Sequence, residues 1–225
     1  MPAIEANLKD IWRRIGAAAQ RAGRDIRDIR LVVVSKNQPL ERIREAAVGG
    51  AAIFGENKAQ EFAEKREREP GLEWHFIGHL QTNKVGLVTG RAALVHSVDS
   101  VRLAAKISER ALEAGIIQNV LMQVNVSGEE SKYGVAQLEA GLACKEIGKM
   151  QGIALRGLMT MAPLEPEPEL ARPVFRGLRL LKDELKKECP DAQLDWLSMG
   201  MTGDFEVAVE EGGNLLRIGT AVFGP

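Results

Sequence analysis

Three places in this sequence combine residue types that could do chemistry. Lys36 follows the apolar run LVVVS at 31–35. A lysine at the end of such a strand emerges with its stem against apolar walls, and partial desolvation lowers an amine's pKa. The neutral amine is the nucleophile that condenses with a carbonyl to give a Schiff base. A solvated strand-end lysine is the alternative. SMGMTGD at 198–204 and RIGTAVFG at 217–224 mix glycines with hydroxyls, so backbone N–H groups can approach an anion. Ser198 and Thr220 would add hydroxyl donors, and Gly219-Thr220 could open a short helix whose N-terminus favours phosphate. Glycines that only make tight turns are the alternative. Arg217 interrupts an apolar run, where arginine is costly unless paired. Pointed inward it would donate to a ligand, and pointed outward it would bridge a carboxylate. Asn57, in FGENKAQ, is either a helix N-cap or a ligand contact.

Other reactive types carry less. His75 and His79 form an H-x₃-H pair, but no HExxH motif and no third ligand at sensible spacing accompany it, so no metal site is expected. His75 alternates with Trp74 and Phe76 and so faces away from them, toward the mouth of any barrel. His96 reads as a satisfied interior histidine. No Ser/His/Asp or Cys/His set is evident. Cys144 and Cys189 form no CxxC pair and read as plain, unclustered thiols suited to a reducing cytosol.

These groups need a scaffold. Eight β-like runs occur at 31–35, 52–54, 74–78, 94–98, 119–126, 154–160, 194–198 and 215–219. Several are almost continuously apolar, as strands buried on both faces are. Helical patterns lie between them at 40–48, 58–69, 81–88, 100–114, 136–150, 170–188 and 204–211, with Pro173 near the start of the sixth. Ile4, Leu8, Ile11, Trp12 and Ile15 predict a helix ahead of the first strand. Eight alternating strands predict a single TIM-type (β/α)₈ barrel domain over 1–225 with an extra N-terminal helix; an open doubly wound sheet is the runner-up. In a barrel, chemistry collects at the C-terminal strand ends, and the loops after strands seven and eight are the habitual phosphate site. Lys36 and both small-residue loops fall at those ends.

Net charge is −1, which gives no broad positive field to draw in nucleic acid or an acidic membrane. No apolar run has transmembrane length, and the N-terminus reads as an amphipathic helix rather than a signal peptide. A cytoplasmic protein is expected. The charged helix at 58–69 reads as a solvated face. APLEPEPEL at 162–170 is a Pro- and Glu-rich loop.

In order along the chain, VVVSK at 32–36, FGEN at 54–57, WHFIGHLQTNK at 74–84, SVDS at 97–100, VNVSGEESKYGV at 124–135, RGLMTMAP at 156–163, SMGMTGDFEVAVEEG at 198–212 and RIGTAVFG at 217–224 resemble the pyridoxal phosphate homeostasis proteins. The resemblance covers almost the whole chain. It implies a barrel like the N-terminal domain of alanine racemase, with pyridoxal 5′-phosphate (PLP) as cofactor. By the same resemblance Lys36 is the Schiff-base lysine, Ser198, Gly200, Gly219 and Thr220 hold the phosphate, Arg217 faces the pyridine nitrogen, and Asn57 lies near the cofactor. Asn37-Gln38 and Lys58 depart from the usual family residues, which touches fine contacts at the mouth. The sequence ends shortly after Gly219, so no following β domain is expected to cover the mouth. The implied role is to hold, buffer or deliver PLP as a monomer, with free amino acids and PLP-accepting apo-enzymes as possible partners. A PLP-dependent racemase or decarboxylase is the alternative, and a sugar-phosphate barrel enzyme a further one.

Overall fold

Runs rich in Val, Ile and Leu with no polar alternation must bury both faces, and here they do so by closing on themselves. A computed structural model describes residues 2–129, 133–163, 167–190 and 192–224. Its strands are β1 (Arg30–Val34), β2 (Ile53–Glu56), β3 (Glu73–Phe76), β4 (Leu94–Val98), β5 (Gln118–Asn125), β6 (Val135–Ala136), β7 (Ile153–Met159), β8 (Trp196–Ser198) and β9 (Leu215–Ile218). All pairings are parallel. The order is β4-β3-β2-β1-β9-β8-β7-β5, and β4 pairs with β5 to close an eight-stranded barrel. The two-residue β6 adds to β5 outside that ring. The expected (β/α)₈ barrel is therefore the observed one.

The barrel has two apolar layers. Val32, Ile53, Leu94, Leu121, Met159 and Leu215 form a separate cluster within it. The alternate residues Val33, Phe54, Trp74, Phe76 and Val95 belong to the larger core shared with the helices. This is the filled interior that barrel closure demands. The helices are α1 (Pro2–Arg21), α2 (Leu40–Val48), α3 (Ala59–Arg68), α4 (Val85–Val88), α5 (Val101–Glu113), α6 (Ala140–Gly148), α7 (Arg172–Glu188), α8 (Phe205–Glu210) and α9 (Thr220–Phe223). The expected N-terminal helix is α1. It buries Ile4, Leu8, Ile11 and Ile15 and packs against α8 and α9.

Three expectations are revised. The helix read at 81–88 is a 3₁₀ turn over Thr82–Lys84 followed by the single turn α4. The two cysteines are neighbours: Cys144 on α6 meets Cys189 at the end of α7, and burial first, then this contact, pushes the Cys144 thiol up to about 12. The charged helix α3 is not wholly solvated, because Lys65 is buried. Residues 164–166 of the acidic loop and 130–132 of GEESKYGV lie outside the described residues.

Candidate functional site

Parallel strands bring their C-terminal ends to one face, and there the separate motifs meet. Lys36 sits in the turn after β1, exposed, beside a cavity of about 290 Å³. The cavity wall includes Arg217, Gly219 and Thr220 from the end of β9, and Thr202 and Gly203 from the loop after β8. Its size lies near the lower end of the ~300–1,000 Å³ usual for small-molecule sites. A larger opening of about 410 Å³ lies at the other end of the barrel, against Arg30, Glu73 and Arg156. It contains no lysine.

The turn that carries Lys36 is held from below by α3. Lys65 Nζ donates at 2.7 Å to the Ser35 main-chain oxygen, to Glu56 Oε1 and to Glu61 Oε1. Glu61 Oε1 in turn accepts from the Asn37 N–H at 2.7 Å. Asn37 has φ 59, a conformation that asparagine tolerates better than most residues. The Ser35 hydroxyl donates to Glu56 Oε1 at 2.7 Å. The residues flanking Lys36 are thus pinned by one buried ammonium and two carboxylates. Burial raises the Glu56 carboxyl above its ordinary range, and the Lys65 and Ser35 hydrogen bonds oppose that rise. Glu56 and Lys65 escaped the sequence reading. Their only signal was a charged residue ending a buried strand.

Arg217 lies in the barrel interior, 4% exposed, with its edge on the cavity. Nη1 donates to Ser198 Oγ at 2.6 Å and Nη2 to the Thr160 main-chain oxygen at 3.0 Å. Burial lowers the guanidinium's pKa to about 10 while Asp204 opposes the fall, so it stays charged at neutral pH. Two of its five N–H groups are engaged, which leaves donors for a ligand.

The remaining candidates separate. Ser198 does not reach the cavity: its hydroxyl is fully buried between Arg217 and His96 Nδ1, 2.7 Å away. Gly200 supports the loop, with its carbonyl accepting from the Arg217 N–H at 3.0 Å. Asn57 is not a cap. Lys58 holds the cap position of α3 and makes no side-chain cap bond. Asn57 instead packs its backbone so close to Gly78 that a Cβ there would stand 2.0 Å from the Asn57 oxygen. Its Oδ1 is buried with no hydrogen-bond partner, and it does not line the cavity. His75 does not face the mouth but borders the opening at the opposite end. His79 does lie at a strand end. It bonds Asp99 at 3.0 Å and stacks on Tyr133, with ring centroids 4.0 Å apart.

PLP needs an amine for its aldehyde, donors for a phosphate and a donor for a ring nitrogen. The cavity presents Lys36, the Thr202 and Thr220 hydroxyls with glycine backbone, and Arg217. Gly203 and Gly224, both on its wall, leave the space a Cβ would fill open, with nothing within 4 Å. Thr202 Oγ1 accepts from the Ala221 N–H at 3.4 Å and ties the two loops together. The residues fit the group.

A closed parallel barrel of this kind is also the fold of the alanine racemase N-terminal domain. That family matches residues 6–225. The chain is 45% identical over 219 residues to the pyridoxal phosphate homeostasis protein of Aquifex aeolicus, covering 96% of each. An unknown protein from Bifidobacterium adolescentis superposes with a TM-score of 0.93 at 37% identity, covering 98% of this chain and 94% of that one. PipY of Synechococcus elongatus, solved with PLP bound, gives 0.83 at 33% identity, covering 95% and 100%. The chain belongs to the pyridoxal phosphate homeostasis protein family.

Proposed function

We propose that this chain binds pyridoxal 5′-phosphate covalently at Lys36 and serves to hold and release it, with residues 1–225 forming one binding domain. The observation that carries this reading is the convergence of Lys36, Arg217, Gly219 and Thr220 on one cavity. When bound, PLP supplies an aldehyde that condenses with amines and a ring that takes up negative charge. The Lys36 turn is pinned on both sides, so its amine meets an incoming aldehyde from a defined position. Thr220, at the start of α9, and Gly219 offer the phosphate a hydroxyl and backbone N–H groups. Asn57 and Gly200 support the walls, and Ser198 acts through Arg217.

Sustained turnover is not expected. Arginine carries donors and no acceptor, so Arg217 holds a ring nitrogen without protonating it, and the ring stays a weak electron sink. Racemisation needs a base on each face of a substrate carbon. Tyr133, the chain's one tyrosine, is stacked on His79 and stands off the cavity wall. Free amino acids can reach an open site and compete with Lys36, and PLP-accepting apo-enzymes are the natural recipients. Among the described residues no helix is long and apolar enough to cross a membrane. A monomer working in the cytoplasm suits this role.

Borohydride reduction of the loaded protein, followed by peptide mapping, tests the assignment. The label is expected on Lys36 and absent in Lys36→Ala. A label confined to another lysine overturns it. Steady solvent-deuterium exchange at the α-carbon of L-alanine, lost in Lys36→Ala, would favour the racemase reading instead.

A further inference from the structure

Below the cavity a file of polar side chains runs down the inside of the barrel. Arg217 Nη1 lies 2.6 Å from Ser198 Oγ, and Ser198 Oγ 2.7 Å from His96 Nδ1. His96 Nε2 lies 2.9 Å from His75 Nδ1, and His75 Nε2 3.0 Å from Glu73 Oε1. The first four members are buried. Glu73 ends the file with its side chain 42% exposed, on the opening at the N-terminal end of the barrel.

The two ends fix the direction of every bond between them. A guanidinium only donates and a carboxylate only accepts. Ser198 therefore accepts from Arg217 and gives its single hydrogen to His96 Nδ1. His96 must then carry its proton on Nε2 and donate to His75 Nδ1. His75 must likewise carry its proton on Nε2 and donate to Glu73. Each of the four contacts then has one donor and one acceptor. Moving the proton of either ring sets two donors or two acceptors face to face. Burial holds the pKa of His75 below its ordinary value, against the pull of Glu73, and that of His96 well below. Both rings are thus neutral at pH 7, as the file requires.

We propose that Glu73 is a positioning residue for the site at the far end of the barrel: through His75, His96 and Ser198 it fixes the hydrogen-bond direction that orients Arg217. The cofactor part of this inference rests on the reading that PLP occupies the Lys36 cavity. With Ser198 turned toward His96 and Thr160 holding Nη2, the guanidinium cannot swing, and its spare donors stay on the cavity. The site then selects a ligand with a neutral acceptor nitrogen beside Arg217, because no group there can take a proton from that ligand.

The chain has three histidines, so ¹⁵N NMR of histidine-labelled protein resolves each ring. In protein stripped of cofactor, His75 and His96 are expected as pure neutral Nε2–H tautomers. Glu73→Ala, at a half-exposed position, should give His75 a mixture of tautomers and leave His79 unchanged as the control for folding. Glu73→Gln keeps an acceptor and should restore the single tautomer. After reloading, Glu73→Ala should change the PLP dissociation rate by roughly two- to thirtyfold, the range expected for a mutation along a coupled network. An Nδ1–H or doubly protonated ring in the wild type overturns the proposal. So does a Glu73→Ala protein with wild-type tautomers and wild-type PLP release. Absence of label at Lys36 would instead sink the cofactor assignment and leave the tautomer result standing, so the two failures are distinguishable.

Discussion

The Lys65 ammonium donates at 2.7 Å to the main-chain oxygen of Ser35, the residue before Lys36. The same ammonium bonds Glu56, whose carboxylate is sealed from solvent. One helix side chain therefore both neutralises a buried charge and holds the turn that presents the reactive amine.

Lys65→Met should cost about 3–5 kcal/mol, because it removes the one cation beside Glu56 and leaves only the Ser35 hydroxyl on that buried carboxyl. Urea unfolding measures the loss. Adding Glu56→Leu should return most of it, since removing both partners is far cheaper than removing one. A single variant with an unchanged midpoint would show that the pair adds no stability.

Ser198→Ala leaves Arg217 Nη1 and His96 Nδ1 without a partner. The expected cost is about 1–3 kcal/mol for buried groups left unsatisfied. It should appear in protein stripped of cofactor. If stability holds and only PLP binding weakens, Ser198 is a direct phosphate ligand, as the family resemblance implies.

Gly200 and Gly203 should respond differently to alanine. Gly200 has φ 91, and a Cβ there would meet the Ala208 Cβ at 2.6 Å. Gly200→Ala is expected to lose about 1–3 kcal/mol of stability from overpacking and strain. Gly203→Ala meets nothing within 4 Å and projects beside the cavity. Its unfolding midpoint should hold while PLP affinity falls by roughly fivefold, about 1 kcal/mol. Unaltered PLP binding in Gly203→Ala would move the phosphate away from this loop.

Acid should weaken the protein partly through Glu211. Burial pushes its carboxyl up, but Arg176, Arg172 and Arg179 outweigh that and bring it to about 2 from an ordinary 4.5. A depressed carboxylate pKa gives stability that is complete above the unfolded value and lost as pH falls toward the folded one. The loss should run from about pH 4.5 down to pH 2. The arginines are partly solvated, so its size is on the order of 1–2 kcal/mol. Glu211→Gln should lower stability at pH 7 and flatten the acid limb of a stability–pH curve. A limb unchanged in that variant assigns the acid sensitivity to other carboxylates.

Much of the scaffold was legible because its signal is local. Val32, Val33 and Val34 can bury both faces only in a central strand, and Lys36 follows at the strand's exit. The glycines near Thr202 and Thr220 mark loops by their own backbone freedom. The interior polar file was not legible. His75, His96, Ser198 and Arg217 lie on four strands, and only barrel closure and register bring them into line. Lys65 was hidden for a related reason. Ala59 and Phe62 mark the inward face of α3, but Lys65, one turn further on that face, reads as a solvated cation until its carboxylate partners are placed. The contact of Cys144 with Cys189 likewise exists only once α6 and α7 are packed. For the seventh run, at 194–198, the strand proper begins at Trp196, because the N–H groups of Leu194 and Asp195 still bond back to Ala192 and Gln193.

The docking of α1 on α8 and α9 also sets an order of events during synthesis. Asn7 donates to the main-chain oxygen of Val222, 215 positions later, and β1 pairs with β9. Helix α1 therefore cannot find its seat on α8 and α9 until the ribosome has delivered almost all of the barrel. Until then its apolar stripe of Ile4, Leu8, Ile11 and Ile15 lacks the cover that α8 and α9 supply and has α2 beside it. Contacts of such sequence separation form late and slow folding. The nascent chain is thus most exposed to sticking or chaperone capture at its first helix, and the same final residues that complete the cavity wall release it from that exposure.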